Sequence, residues 1–261
     1  MAGYSRSIEP TKEERRITTF IRKVVRDAGA RGVVVGVSGG VDSALAGSLC
    51  VKALGPQNVV AALMPSNHTP KNDLRDGEAL ASRWGVETVR VSISPLVDAL
   101  DATVGEKGGR IAKANVEART RMIILYLIAN SRGLLVAGTG DRSEELLGFF
   151  TKWGDGGVDF LPIAHLYKTQ VRLLSSSLGL PKRIVDKPAS PQLWPGHTAE
   201  EELPAAYEKL DVVLHCLFDL KVSPKAAASK AKVSPAVVRE VIGMHRRSAH
   251  KRALPPSLAR I

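Results

Sequence analysis

Cysteine is nearly absent: only Cys50 and Cys216 occur in 261 residues, and neither stands in a Cys/His cluster spaced for a metal. That excludes a disulfide framework and a zinc site, and leaves two reduced thiols in or near the core. Aromatic residues are scarce, at 5%. The chain also has no recognisable nucleic-acid-binding module and no long low-complexity basic arm. The formal charge of +11, with basic residues clustered between 221 and 252, is compatible with nucleic acid or with small anionic ligands, and those missing features argue against nucleic acid. Long hydrophobic runs are missing as well. The longest, 122–129, is far too short to span a membrane, and the residues through Arg16 are charged where a secretory signal would be apolar. A cytoplasmic protein without membrane contact is expected. The length suits one domain over 1–261, with a helical portion after about residue 200.

What is present is alternation. Ile17, Phe20, Ile21, Val24 and Val25 recur on one face of a basic amphipathic helix, followed by a strand ending at Val37 and a helix over 44–53. A buried strand over 59–64, a helix over 75–83, a shorter strand over 86–91, a helix over 111–129 and a strand over 134–137 complete the series. Such repeated strand and helix units predict an α/β, three-layer fold: a mostly parallel central sheet flanked by helices.

Between the first strand and its helix lies Gly36-Val37-Ser38-Gly39-Gly40-Val41-Asp42-Ser43. It lacks the Gly-Lys-Ser/Thr ending of a Walker A site and the Gly-x-Gly-x-x-Gly spacing of a dinucleotide turn. Its chemistry can still be read. The three glycines allow close backbone approach to a phosphate, Ser38 and Ser43 offer hydroxyls, and Asp42 offers oxygen to a hard cation. The strand ending at Ala137 leads to a second loop, Gly138-Thr139-Gly140-Asp141-Arg142-Ser143-Glu144. Two strand ends can face one ligand, so Asp42 and Glu144 are the pair expected to hold Mg²⁺, with ATP as co-substrate. The Thr139 hydroxyl is a candidate ATP contact, and Lys168 a candidate cation for the charge that develops as pyrophosphate leaves.

The Ser-Gly-Gly-x-Asp-Ser order resembles the signature of the ATP pyrophosphatases, whose fold is adenine nucleotide alpha hydrolase-like. The second loop, then Phe149-Phe150-Thr151-Lys152-Trp153-Gly154-Asp155, residues 115–122 and His250-Lys251-Arg252 resemble the ammonia-dependent NAD synthetases. This resemblance implies that ATP adenylates the nicotinate carboxyl of deamido-NAD and that ammonia then releases AMP and forms NAD. It implies ATP contacts from the first loop, Met64, Arg75, Thr139, Lys168 and Ser190. It also implies deamido-NAD contacts from Asn115, Arg119, Phe149, Phe150, Lys152, Asp159, His250 and Lys251. Asn115 and Arg119, four apart, share a helix face. Asp155 is a candidate acceptor for the proton that ammonia sheds. The catalytic set is then Asp42, Glu144, Lys168 and Asp155.

No nitrilase-like glutaminase with its Cys-centred site is visible, so free ammonia is the expected donor, a separate supplying protein being compatible. A homodimer is implied too, and apolar faces in the 111–129 and 203–220 helices are candidates for its interface, packing within the chain being the other reading of the same periodicity. The sequence departs from the family pattern at Asp141, often Asn, at Trp153, commonly Tyr, and through 191–199. The nearest rival is another ATP pyrophosphatase-type adenylating enzyme, such as one that modifies tRNA, but sulfur-transfer cysteines and an added RNA-binding domain are missing. A non-catalytic nucleotide-binding protein is a more distant alternative.

Overall fold

The computed structural model describes residues 8–105, 108–190 and 198–258. In chain order the elements are α1 (Pro10–Asp27), β1 (Gly32–Gly36), α2 (Val41–Leu54), β2 (Val59–Leu63), α3 (Lys71–Trp84), β3 (Glu87–Arg90), α4 (Ser94–Val104), α5 (Arg110–Arg132) and β4 (Leu134–Ala137). Then come α6 (Arg142–Leu147), α7 (Lys168–Ser177), α8 (Lys182–Val185), α9 (Tyr207–Leu214), a π-helical turn (His215–Asp219), α10 (Pro224–Ala231) and α11 (Pro235–Arg247).

The strands form one parallel sheet in the order β3-β2-β1-β4. Three layers follow from the pleat of β1. Val33 and Val35 join the core shared with Ile17, Ile21, Leu45, Leu49 and Leu174, whereas Val34 joins Val60, Ala62, Ala129 and Val136 on the other face. Each such valine contributes roughly 1.5–3 kcal/mol through burial. From β1 the chain steps outward through β2 and β3, then returns to the opposite side of β1 as β4. The order therefore reverses at β1, and a ligand crevice is expected beyond the carboxyl ends of β1 and β4. Phe160 extends that edge by a parallel bridge to Ala137.

The helices after residue 198 build an apolar core of their own. Leu210, Val213, Leu214, Val238 and Val241 pack on Leu146 and Leu147 of α6 and on Tyr167 beside α7. One expectation is corrected by this packing: the apolar face within 203–220 is consumed inside the chain, with Leu210, Val213 and Leu214 at 0% exposure, and is not free for a partner. That stretch is also not one α-helix. By contrast, α4 and α5 leave Leu96, Leu100, Val104, Ile111, Ile123 and Leu127 exposed.

Other differences are local. Phe20 does not sit in the α1 core face; it is 42% exposed and meets Phe160 edge-on. The second helix begins at Val41, directly after the loop, and the second strand ends at Leu63, which puts Met64 at its rim. Both cysteines are free and buried, and burial pushes the Cys50 thiol up to about 12. Among the described residues no helix is long and apolar enough to cross a membrane.

Candidate active site

Val37, Ser38, Gly39 and Gly40 carry the chain from β1 into α2. The Val37 N–H still donates to the Ala62 carbonyl at 2.9 Å, which anchors the turn to the sheet. Two hydroxyls shape the rest. Ser43 Oγ donates to the Gly40 carbonyl (3.0 Å) and accepts from the Ser38 N–H (3.2 Å), while Ser38 Oγ accepts from the Gly40 N–H (3.2 Å). Gly39 has φ +79°, and a Cβ there would lie 2.2 Å from the Asp73 carbonyl oxygen, so only glycine fits. Lys187, which sequence reasoning missed, fastens the turn from outside. Its Nζ donates to the Gly39 carbonyl (2.8 Å) and pairs with Asp73 and Asp76 (2.7 Å each). Tying that carbonyl to a cation leaves the positive end of the 14-residue α2 as the dominant dipole at the turn, a setting that favours phosphate.

The second loop leaves β4 beside the first. Asp141 caps α6 in a reciprocal box: Asp141 Oδ1 accepts from the Glu144 N–H (2.8 Å), and Glu144 Oε2 from the Asp141 N–H (3.2 Å). Glu144 is thus a helix cap and a candidate site residue at once. Its other oxygen, Oε1, lies 2.9 Å from Lys168 Nζ, which is also 2.7 Å from Asp42 Oδ1 and 3.0 Å from Asp141 Oδ2. Lys168, at the start of α7, is 1% exposed. Burial works against its charge, yet Asp141, Asp42 and Glu144 hold the ammonium well above its ordinary range. Burial likewise pushes Glu144 up to about 7, with Lys168 opposing and Asp42 adding to the rise. Asp141 is raised for the same reason.

Asp42, Asp141 and Glu144 each offer an oxygen within 4.8 Å of the others. Asp141 Oδ2 is buried and has no aligned hydrogen-bond donor among the described residues. Three carboxyl groups converge around one ammonium, and once ionised their oxygens suit a hard divalent cation. The expected pair, Asp42 and Glu144, is brought together, with Asp141 as a third. A pH dependence follows. Between the ordinary 4.5 and about 7, folded Glu144 keeps a proton that the unfolded chain has released, so metal-free stability falls as pH rises through that window. A divalent cation held there would need the ionised form, so its binding would tighten over the same rise. The Mg²⁺-induced gain in melting temperature should be larger at about pH 8 than at about pH 6; equal gains would contradict the assignment.

The segment after α6 gathers most of the second set of expected residues. Asn115 Oδ1 accepts from Thr151 Oγ1 (2.8 Å) and Arg119 Nη2 donates to the Lys152 carbonyl (3.2 Å), so the two do share a face and hold one turn. Asp155 Oδ1 closes that turn by accepting from the Thr151 N–H (2.8 Å). Lys152 Nζ reaches the His250 carbonyl (2.7 Å), and Lys251 Nζ donates to the carbonyls of Gly148 (2.8 Å) and Phe150 (2.7 Å). The late basic segment is thereby pinned beside the Phe-Phe turn, 5.5 Å separating Lys251 Nζ from the Phe150 ring. Phe149 packs instead against the C-terminal apolar core. Asp159 stands apart: its carboxylate accepts from the Val136 N–H (2.7 Å) and the Tyr126 hydroxyl (3.0 Å), which finishes the open edge of β4.

Met64 is half-buried, and its methyl lies 3.3 Å from where a Cβ on Gly36 would be, so it borders the first loop. Its carbonyl accepts from Arg121 Nε (3.1 Å). Thr139 is half-buried, whereas Arg75 and Ser190 are exposed. The divergent stretch 191–197 lies outside the described residues. Asp141 was legible as a cap from its spacing to Glu144; Lys187 had no sequence signal, being joined to the loop only through space.

The chain matches the family model described as NAD synthase over residues 13–255. It is 51% identical over 244 residues to the NH(3)-dependent NAD(+) synthetase of Hyperthermus butylicus, covering 93% of this chain and 88% of that one. It also resembles the solved NMN synthetase of Francisella tularensis (TM-score 0.85, 33% identity, 97% of this chain and 99% of that one). A second solved relative is the NH3-dependent NAD synthetase of Campylobacter jejuni (TM-score 0.82, 28% identity, 97% and 100%).

Proposed function

This chain belongs to the NAD synthase family, and we propose that it completes NAD by joining ammonia to the nicotinate carboxyl of deamido-NAD, driven by ATP. It is an ATP-dependent carbon–nitrogen ligase of the ammonia-using kind. The observation that carries the chemical reading is the buried Lys168 ammonium, within 3.0 Å of carboxylates from both strand-end loops.

In this reading residues 1–261 form one catalytic domain, supported by the packing of the C-terminal helices on α6 and α7. The 36–43 loop holds the ATP phosphates with Met64 and Thr139 at its border, and Arg75 and Ser190 are further ATP contacts. Asn115, Arg119, Phe150, Lys152, His250 and Lys251 receive deamido-NAD, Phe149 backing the turn and Asp159 contributing from the sheet edge. Asp42 and Glu144, with Asp141 beside them, would hold Mg²⁺, whose charge would screen the ATP phosphates.

The substrate carboxylate oxygen attacks the α-phosphorus, the bond to the bridging oxygen breaks, and pyrophosphate leaves. Lys168 presents a cation already fixed by its partners, so little reorganisation is needed as charge builds on the leaving group. The ammonia nitrogen then adds to the acyl carbon, AMP departs, and Asp155 takes the surplus proton. The nitrogen arrives as free ammonia, released nearby by a separate supplying protein where one exists. Two free thiols and soluble substrates support a cytoplasmic location.

The assay is NAD and AMP formation from ATP, Mg²⁺, ammonium and deamido-NAD, with glutamine replacing ammonium in one arm. The likeness to the Francisella protein makes the mononucleotide acceptor the other comparison. Equal NAD and AMP with ammonium alone is expected. A folded preparation that makes no AMP from either acceptor rules the reading out.

The exposed apolar residues of α4 and α5 support a homodimer. Sedimentation should give twice the chain mass, and Ile123→Glu with Leu127→Glu should halve it. A wild-type monomer at assay concentration removes the dimer.

A further inference from the structure

Tyr207, Asp211, His215 and Asp219 recur at every fourth residue along α9 and the π-helical turn. On a regular α-helix such a series drifts by about 40° per step and soon leaves one face. The π turn, closed by the Leu220 N–H on the His215 carbonyl (3.0 Å), packs more than four residues per turn and reverses the drift. The four side chains consequently form one stripe, and it lies against the two segments that carry the candidate catalytic groups.

The contacts are specific. The Tyr207 ring centre lies 5.5 Å from Lys168 Nζ. Asp211, at 0% exposure, accepts from Ser143 Oγ (2.6 Å) with one oxygen and from the Thr169 N–H (2.9 Å) with the other. Ser143 Oγ in turn accepts from the Lys168 N–H (3.0 Å). Farther along, Asp219 accepts from the Tyr167 hydroxyl (2.6 Å), meets His215 Nδ1 (2.8 Å) and pairs with Arg142. Residues 142 and 143 flank Asp141 and Glu144, and residues 167 and 169 flank Lys168. A single stripe therefore grips both sides of the Lys168–carboxylate cluster, and a carboxylate buried this completely is held in place by donors from both of them.

We infer that this stripe, with Asp211 at its centre, is a positioning element for the adenylation step: it sets the distance between the Asp141/Glu144 helix and the Lys168 turn. The contacts described above are all to protein groups, so in this inference the stripe acts through Ser143, Thr169, Arg142 and Lys168. The inference rests on the proposed reading of Lys168, and neither loop motif reveals it because the stripe begins more than sixty residues after Glu144.

Asp211→Asn keeps the volume but turns an amide N–H₂ toward one of the two donors. The expected result is a fall in kcat of about tenfold or more, with KM for deamido-NAD within about twofold. Its crystal structure should show Lys168 Nζ drawn away from Glu144 Oε1. Ser143→Ala, which removes only the bridging hydroxyl, should give a smaller kcat loss in the same direction and serves where Asp211→Asn does not fold. Unchanged kcat with Lys168 unmoved overturns the inference, as does a loss confined to melting temperature. If the wild-type protein makes no NAD, the functional reading falls by itself, and the Lys168 displacement still decides whether the stripe positions it.

Discussion

Lys168→Met should abolish NAD formation and weaken the fold together. The side chain is 1% exposed and balances Asp42, Asp141 and Glu144 at once. Removing the cation leaves three neighbouring carboxylates facing one another, Asp141 fully enclosed. Breaking a buried pair in this way typically costs about 3–5 kcal/mol. With Lys168 facing the leaving group as proposed, its loss should lower kcat/KM by roughly a thousandfold. The stability loss should shrink on moderate acidification, since protons can then replace the missing charge. Chemical denaturation at neutral and acid pH, beside the NAD assay, checks both halves. A variant of wild-type stability that still turns over within tenfold would refute the account of the cluster.

Gly39→Ala should be nearly as damaging for a different reason. The residue has φ +79°, and its Cβ would stand 2.2 Å from the backbone oxygen of Asp73, which cannot swing aside. Left-handed geometry alone costs about 1–3 kcal/mol, and the clash displaces either the turn or the start of α3. A displacement near 1 Å at a phosphate site costs roughly a hundredfold in rate. ATP binding should suffer while deamido-NAD binding is spared, because the Asn115–Lys152 turn is built from other elements. Titration of each nucleotide separately tests this: retained ATP binding would show that the loop is not the ATP site, and parallel loss of both would show that the change is not local.

Much of this architecture is legible from residue pattern. The strand expected to end at Val37 is β1, which ends one residue earlier at Gly36, and the Ser-Gly-Gly-x-Asp-Ser order marks its connection to α2 as a candidate phosphate turn through its chemistry. The strand at 134–137 was found to the residue, since Gly133 and Gly138 bound a short apolar run. Phe20 misled because periodicity gives a face and not its depth; it lies at the rim, against Phe160. The apolar residues of 203–220 announced a buried face but not its partner, which is α6 of the same chain. Lys187 and Asp211 were invisible in principle, as each acts on groups tens to more than a hundred residues away through contacts that only the fold creates.

The Lys168–Asp42 pair joins positions 126 residues apart in the chain. A contact with so long a loop forms only after the parallel sheet has gathered, since closure entropy opposes it until then. Lys168 is also a poor nucleus, because its charge is costly to bury until all three acidic partners are in place. On the ribosome the turn between β1 and α2 emerges well before Lys168. Turnover regained on refolding is therefore expected to lag behind formation of the parallel sheet.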